Sequence, residues 1–169
     1  MFADMKEKTR FYIGIDPDKD KSGFAVVDRE AGKVTEAAAM TYAELLEELL
    51  AWRGRRDMVT VVVEASWLLR SNWHIASRYG STARAAAIGH SVGVNHGVGM
   101  CIVQAAAALG LKTEERLPLA KFGHGRDGKL TQEDVTYYIK GLPPRTNQEV
   151  RDAARLAWVA AGLPERVRV

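Results

Sequence analysis

The sequence has almost no cysteine and no long apolar run, and each absence excludes a class of protein. Cys101 is the only cysteine among 169 residues, so neither an internal disulfide nor a cysteine-rich zinc site is available. No apolar stretch approaches the roughly 20 residues that a membrane-spanning helix needs. The first ten residues, MFADMKEKTR, mix both charges and lack an apolar centre, which is not the pattern of a secretory signal. We therefore expect a single cytoplasmic domain over residues 1–169 that does not enter a membrane.

Acidic residues are missing from the middle of the chain. No Asp or Glu occurs from Ala65 to Thr113, whereas Arg70, Arg78, Arg84 and Lys112 all fall in this span. The overall net charge of +3 is weak evidence by itself, but a long span without acids favours a positive face that can meet phosphate groups. The alternative is a buried helix, which we expect for the second half of the span.

Hydrophobic patterning predicts five strands and four helices. The predicted strands are Tyr12–Asp16, Phe24–Asp28, Lys33–Met40, Met58–Glu64 and Thr113–Leu117. The predicted helices are Tyr42–Arg53, Thr82–Leu109, Gln132–Lys140 and Asn147–Ala161, with Thr41, Thr131 and Asn147 as caps. This order indicates an α/β fold in which a hairpin leads a mixed sheet. Gly89, Gly93 and Gly97 repeat every four residues, so the second helix either packs closely there or is broken.

Four acidic residues lie at positions where an ordinary solvent-exposed surface role is a poor explanation for them. Asp16 ends the first strand, and Glu64 ends the most apolar strand of the chain. Glu149 and Asp152 are three residues apart on the last helix and therefore share a face. Strand ends of α/β sheets are where ligands bind, and converging carboxylates tolerate one another when divalent cations neutralise them. Mg²⁺ and Mn²⁺ prefer such oxygen ligands.

Each acid also has an ordinary interpretation. A strand-end aspartate is often a turn residue, and Asp152 could pair with Arg151 or Arg155 on a helix surface. Asp18 and Asp20 lie among lysines in a turn and are expected to be solvated. The combination of all four acids, rather than any one of them, indicates a metal site.

The order of these motifs resembles that of the RuvC family of Holliday-junction resolvases. The matching segments are GIDPDKDKSGFAVVD, VVVEASW, IGHSVG, LPLAKFGHG and EVRDAARLAWVAA, which together span nearly the whole chain. The resemblance implies a ribonuclease-H-like α/β fold with a mixed five-stranded sheet and helices on both faces. It also implies a Mg²⁺-dependent endonuclease that nicks four-way DNA junctions as a homodimer.

The same resemblance implies roles for individual residues. Asp16, Glu64, Glu149 and Asp152 would be the ligands of two Mg²⁺ ions, which Mn²⁺ would replace, and Lys121 would lie near the scissile phosphate. Trp67 would be an exposed aromatic that stacks on an unpaired base, a contact worth roughly 1–3 kcal/mol. The alternative is that Trp67 is an ordinary core or lid aromatic. The candidate phosphate contacts are Arg70, Arg78, Arg84, Lys121 and Lys129.

The sequence departs from the family at Asp18, where the family has glycine, and at Glu149, where it has Asp or His. Two further functions stay open at this stage. One is a nuclease for other branched or RNA-containing substrates, like the YqgF relatives of this fold. The other is a protein that binds DNA junctions without cleaving them. His124, between two glycines near Lys121, is either a phosphate contact or a solvated loop residue.

Overall fold

A computed structural model describes residues 9–69 and 81–165 of the chain. The strands are β1 (Phe11–Asp16), β2 (Ser22–Asp28), β3 (Lys33–Met40), β4 (Val59–Glu64) and β5 (Lys112–Arg116). The helices are α1 (Tyr42–Trp52), α2 (Thr82–Ala108), α3 (Gln132–Tyr138) and α4 (Gln148–Ala160). Every predicted element is present with boundaries that shift by two residues or fewer. The predicted caps Thr41, Thr131 and Asn147 each accept a hydrogen bond from a first-turn backbone amide.

The five strands form one mixed sheet in the order β3-β2-β1-β4-β5. β1, β2 and β3 pair antiparallel, whereas β1, β4 and β5 pair parallel. Ile15 of β1 is the partner of Val63 of β4. Asp16 and Glu64, the last residues of these parallel strands, therefore lie side by side at the same edge of the sheet. The mixed sheet confirms the predicted fold class.

Helices cover both faces of the sheet, as predicted. On one face, Leu45 and Leu49 of α1 and Ile102 of α2 pack in one apolar cluster with the β1 side chains Ile13 and Ile15. On the other face, α3 and α4 form a second cluster with β2 and β3. Its members include Val27, Val34, Val135, Tyr138 and Trp158. None of the helices in the described ranges has both the length and the apolarity that crossing a bilayer requires.

Two glycines bring α4 unusually close to the sheet. A Cβ atom at Gly14 of β1 would lie 2.0 Å from the carbonyl oxygen of Ala153, and one at Gly23 of β2 would lie 1.9 Å from that of Glu149. Only hydrogen in place of Cβ lets the helix backbone approach to this distance. The first turns of α4 are therefore held directly beside the end of β1.

Helix α2 is continuous through its glycines, so the break, one of the two alternatives that the sequence left open, is absent. Gly89, Gly93 and Gly97 are exposed, and no described atom lies within 4 Å of a Cβ built on any of them. The helix's buried residues, Gly99, Ile102 and Ala106, all belong to its second half, as expected. The glycine-rich half of α2 thus extends beyond the packed core of the described chain.

Candidate active site

A cavity of about 390 Å³ opens at the sheet edge where β1 and β4 end. Five residues singled out from the sequence line it together: Asp16, Glu64, Lys121, Lys129 and Asp152. The other lining residues are Leu69, Pro118, Leu119, Gly128, Leu130 and Arg155. The structure thus brings three carboxylates from three separate elements to one place, opposite two lysines of the segment between β5 and α3.

Glu149, the fourth predicted acid, lies at the margin of this group. It does not line the cavity, but its negative charge is close enough to raise the pKa of Asp16. The backbone carbonyl of Glu149 is the group that lies against Gly23. The close approach of α4 to β2 therefore positions this acid as well as Asp152.

Burial and mutual repulsion both act on the Asp16 carboxyl. Burial raises its pKa well above the ordinary range, and the negative charges of Glu64, Asp152, Glu149 and Asp18 raise it further. All of these influences disfavour the charged carboxylate. A cation at this position would reverse that penalty.

The lysines offset the same effects at the other two acids. Burial raises the pKa of Glu64, with an added increase from Asp152, while Lys121 lowers it. Burial also raises the pKa of Asp152, while a hydrogen bond from Gln148 and the charges of Lys129, Lys121 and Arg151 lower it. Lys121 and Lys129 therefore both face the carboxylates, although the lysine side chains themselves are exposed.

The donor chemistry of these residues fits a divalent cation that prefers oxygen. The lining acids offer only carboxylate oxygens, and burial raises the pKa of all three, with repulsion from neighbouring acids adding to this at Asp16 and Glu64. Within residues 9–69 and 81–165, no three His, Cys, Asp or Glu side chains form a group that could hold a metal ion as they stand.

In the described part of the chain, Asp152 does not form the ion pair with Arg151 or Arg155 that the sequence left open, although the charge of Arg151 lowers its pKa. Its carboxylate accepts a hydrogen bond from Gln148 Nε2 at 2.8 Å. The Arg151 guanidinium instead donates to the carbonyl of Leu130, to that of Thr146 and to Gln148. No ion pair joins either arginine to Asp152 in the described part of the chain.

Arg155 is a cavity residue that the sequence reasoning did not place in the site. It donates to the carbonyl of Ala120 at 2.7 Å and to Glu165 at 2.9 Å, and it stacks over the Phe122 ring at 4.3 Å. It therefore fixes the segment just before Lys121 to α4. The three-residue spacing from Asp152, which puts both on one helix face, was the signal that could have identified it.

Trp67 lies differently from the exposed aromatic that was expected. Its ring is half-buried and packs against α2, with Cζ3 only 2.3 Å from the position of a Cβ on Gly99. The ring lies edge-on to His96, and its Nε1 donates to Glu115 at 2.9 Å. The ring is therefore partly buried rather than exposed, because the open space beside Gly99 accommodates it, and its stacking on an unpaired base stays a prediction. Leu68 and Leu69, the next two residues, are the exposed ones.

Among the remaining predicted phosphate contacts, the structure describes Arg84 alone, and this residue does not line the cavity. Arg84 is exposed on the first turn of α2, where its backbone amide donates to the Ser81 cap. Arg70 and Arg78 lie outside the described residues. Their proposed contacts with nucleic acid stay predictions.

The segment that carries Lys121 and Lys129 is anchored by a buried aspartate. Asp134, 1% exposed, accepts hydrogen bonds from the backbone amides of His124 at 2.8 Å and Thr131 at 2.9 Å. Its other oxygen accepts from His124 Nδ1 at 2.5 Å. Two backbone hydrogen bonds, from Gly123 to Gly128 and from Gly125 to Lys129, close the segment into a tight loop. His124 is thus tied to the protein, which differs from a freely solvated loop residue.

We expect Asp134→Asn to destabilise the protein by about 2 kcal/mol, because it removes a buried charged acceptor of several hydrogen bonds. Burial raises the pKa of Asp134, but the hydrogen bonds from Thr131 and His124 outweigh it and hold the pKa well below its usual range. The stabilisation is therefore complete above the unfolded pKa of about 4 and is lost as the pH falls below it. Thermal unfolding of both proteins between pH 3 and 8 measures this.

The matched control is Asp57→Asn, which changes an aspartate that is 77% exposed. Its effect should stay within about 0.5 kcal/mol at every pH. An equal effect of both variants would show that the Asp134 hydrogen bonds contribute no stability.

The sheet order and the acids at its strand ends define an α/β protein with a ribonuclease-H-like fold, and comparison with solved structures identifies this fold as that of RuvC. The structure of RuvC from T. thermophilus in complex with a Holliday junction substrate aligns with a TM-score of 0.56 and 17% sequence identity. A second Thermus thermophilus RuvC structure aligns with a TM-score of 0.50 at the same identity. Each alignment covers 93% of this chain and 99% of the RuvC chain. No protein-family model and no curated protein sequence matches the chain. The predicted resemblance is thus confirmed in the fold.

Proposed function

We propose that this protein is a divalent-metal-dependent, structure-selective DNA endonuclease that resolves four-way junctions by paired phosphodiester hydrolysis. The observation that carries the proposal is the cavity in which Asp16, Glu64 and Asp152 lie opposite Lys121 and Lys129. The RuvC fold supports it, since the RuvC structure with this fold contains a Holliday junction substrate.

In this proposal the acids bind the metal ions and the lysines bind the phosphate. Asp16, Glu64 and Asp152, with Glu149 at the margin, would hold Mg²⁺, with Mn²⁺ as a substitute. When bound, the ions supply activation of the attacking water and stabilisation of the leaving 3′-oxygen. Lys121 and Lys129 orient the scissile phosphate and balance its charge as it enters a group of carboxylates. Without the positive charges of Lys121 and Lys129, the acids would repel the DNA backbone.

Two cuts on a symmetric junction require two active sites, so we propose a homodimer. The exposed half of α2 is the candidate interface, because Gly89, Gly93 and Gly97 leave room there for the backbone of a second helix. Val94, 36% exposed on the same half, adds apolar surface. We place the dimer in the cytoplasm, where Cys101 stays reduced.

A cleavage assay tests the proposal directly. The protein is incubated with a mobile four-way junction, a linear duplex, a flap and an RNA–DNA hybrid, each with Mg²⁺ and with EDTA. We expect symmetric nicking of the junction with Mg²⁺ alone, and a steep loss of junction affinity between 50 and 200 mM salt because lysines contact phosphate.

The other substrates and the EDTA samples separate the alternatives. Cleavage mainly of the flap or hybrid would show that the substrate is another branched or RNA-containing nucleic acid and not the four-way junction. Tight junction binding without cleavage at any Mg²⁺ or Mn²⁺ concentration would identify a binding protein. Cleavage that persists in EDTA would rule out the metal dependence.

A further inference from the structure

Asn95 of α2 holds the turn that follows Asp16 through both atoms of its side-chain amide. Its Oδ1 accepts a hydrogen bond from the backbone amide of Lys19 at 2.9 Å. Its Nδ2 donates to Asp18 Oδ2 at 3.3 Å. One side chain of α2 therefore fixes two consecutive residues of the turn between β1 and β2.

Asp18 also forms hydrogen bonds with other residues of the same turn. Its other oxygen, Oδ1, accepts from the backbone amides of Asp20 at 2.9 Å and Lys21 at 3.4 Å. The backbone amide of Asp18 donates to Ser22 Oγ at 3.1 Å, and Ser22 is 1% exposed. Asp18 thus faces the turn and α2, which gives the residue in the family's glycine position a structural role here.

The same face of α2 also contacts the turn after the second acid. Gly99 lies four residues after Asn95, one helical turn along. A Cβ on Gly99 would lie 2.3 Å from Trp67, three residues after Glu64, and 3.1 Å from Pro17, the residue after Asp16. A single turn of α2 therefore touches the segments that follow both strand-end acids.

We propose that Asn95 and Gly99 are positioning residues that set the separation of the Asp16 and Glu64 carboxylates for the reaction. The inference rests on the proposed function and names the residues that hold its ligands in place. The two acids repel each other, so the turns that follow them need an external support to hold the carboxylates at a fixed separation. Second-layer contacts of this kind typically contribute 10- to 100-fold to metal affinity or activity.

The experiment exchanges the two hydrogen-bonding partners. Asn95→Asp places a second carboxylate against Asp18 and should weaken Mn²⁺ binding about tenfold in calorimetry on the protein alone. The double variant Asn95→Asp with Asp18→Asn restores a donor opposite an acceptor, and should recover Mn²⁺ affinity to within about threefold of wild type. Asp18→Asn alone completes the double-mutant cycle.

Removing the amide gives a second measurement. Asn95→Ala should weaken Mn²⁺ binding about tenfold and slow single-turnover junction cleavage about tenfold, while junction affinity stays within twofold. The control is Gln104→Ala, which removes an exposed amide from the same helix and should leave all three quantities unchanged. Thermal unfolding confirms that each variant is folded.

The results separate this inference from the proposed function. Unchanged Mn²⁺ affinity in Asn95→Ala, no recovery in the double variant, or a wild type that binds no Mn²⁺ would each overturn the positioning role. Altered Mn²⁺ affinity in a protein that cleaves none of the nucleic acids would retain the positioning role and overturn the nuclease.

Discussion

Asp16→Asn is expected to reduce junction cleavage about a thousandfold or more while junction affinity stays within about twofold. Asp16 lies at the centre of the site, since Glu64, Asp152, Glu149 and Asp18 all act on its pKa. The amide keeps the shape of the side chain but loses the charge that a cation needs. The lysines that meet the DNA backbone are unchanged, so binding persists.

The same substitution should stabilise the protein at neutral pH. Because the folded pKa of Asp16 is raised, the folded state holds a proton that the unfolded chain has released, and wild-type stability falls as the pH rises from about 4 towards that folded pKa. Asn at this position avoids the penalty. We expect a gain on the order of 1 kcal/mol at pH 8 that shrinks towards pH 4.

Thermal unfolding with and without Mg²⁺, together with single-turnover cleavage, checks both expectations. Mg²⁺ should raise the melting temperature of the wild type more than that of Asp16→Asn, because the wild type has the stronger ligand set. Asp57→Asn, at the opposite end of the sheet, should behave as wild type in every measurement. Unchanged cleavage in Asp16→Asn would remove Asp16 from the catalytic site.

Gly14→Ala is expected to destabilise the protein by about 3 kcal/mol and to lower its melting temperature by roughly 6–12 °C. The added methyl group would meet the carbonyl oxygen of Ala153 at 2.0 Å and the amide nitrogen of Ala157 at 2.9 Å. These are backbone atoms, so α4 has to move as a whole. Asp152 would move away from Asp16, and cleavage should fall at least about tenfold even at temperatures where the variant is folded.

Gly54→Ala provides the matched control, because no described atom lies within 4 Å of a Cβ at this exposed position. Its melting temperature should stay within about 2 °C of wild type. Equal stability of the two variants would mean that α4 tolerates a displacement from β1 and that the close approach at Gly14 does not position the site.

The sequence alone determined the secondary structure and the three acids that line the cavity. Apolar runs with clear ends located β1 and β4, and the acids that end them, Asp16 and Glu64, needed no tertiary information to be noticed. Helical spacing placed Glu149 and Asp152 on one face of α4. These signals are local, since strand alternation, helix period and capping act over a few residues.

What only the tertiary structure decided depends on contacts between distant segments. The close approach of α4 at Gly14 and Gly23, the burial of Trp67 beside Gly99, and the bonding of Asp18 to Asn95 each join residues of separate elements. A sequence pattern reports which side chains are apolar or charged, but not how near two backbones come. That distance is set by the packing of the helices on the sheet. Here it brings acids from separate elements into one site and packs the half-buried ring of Trp67 against the core.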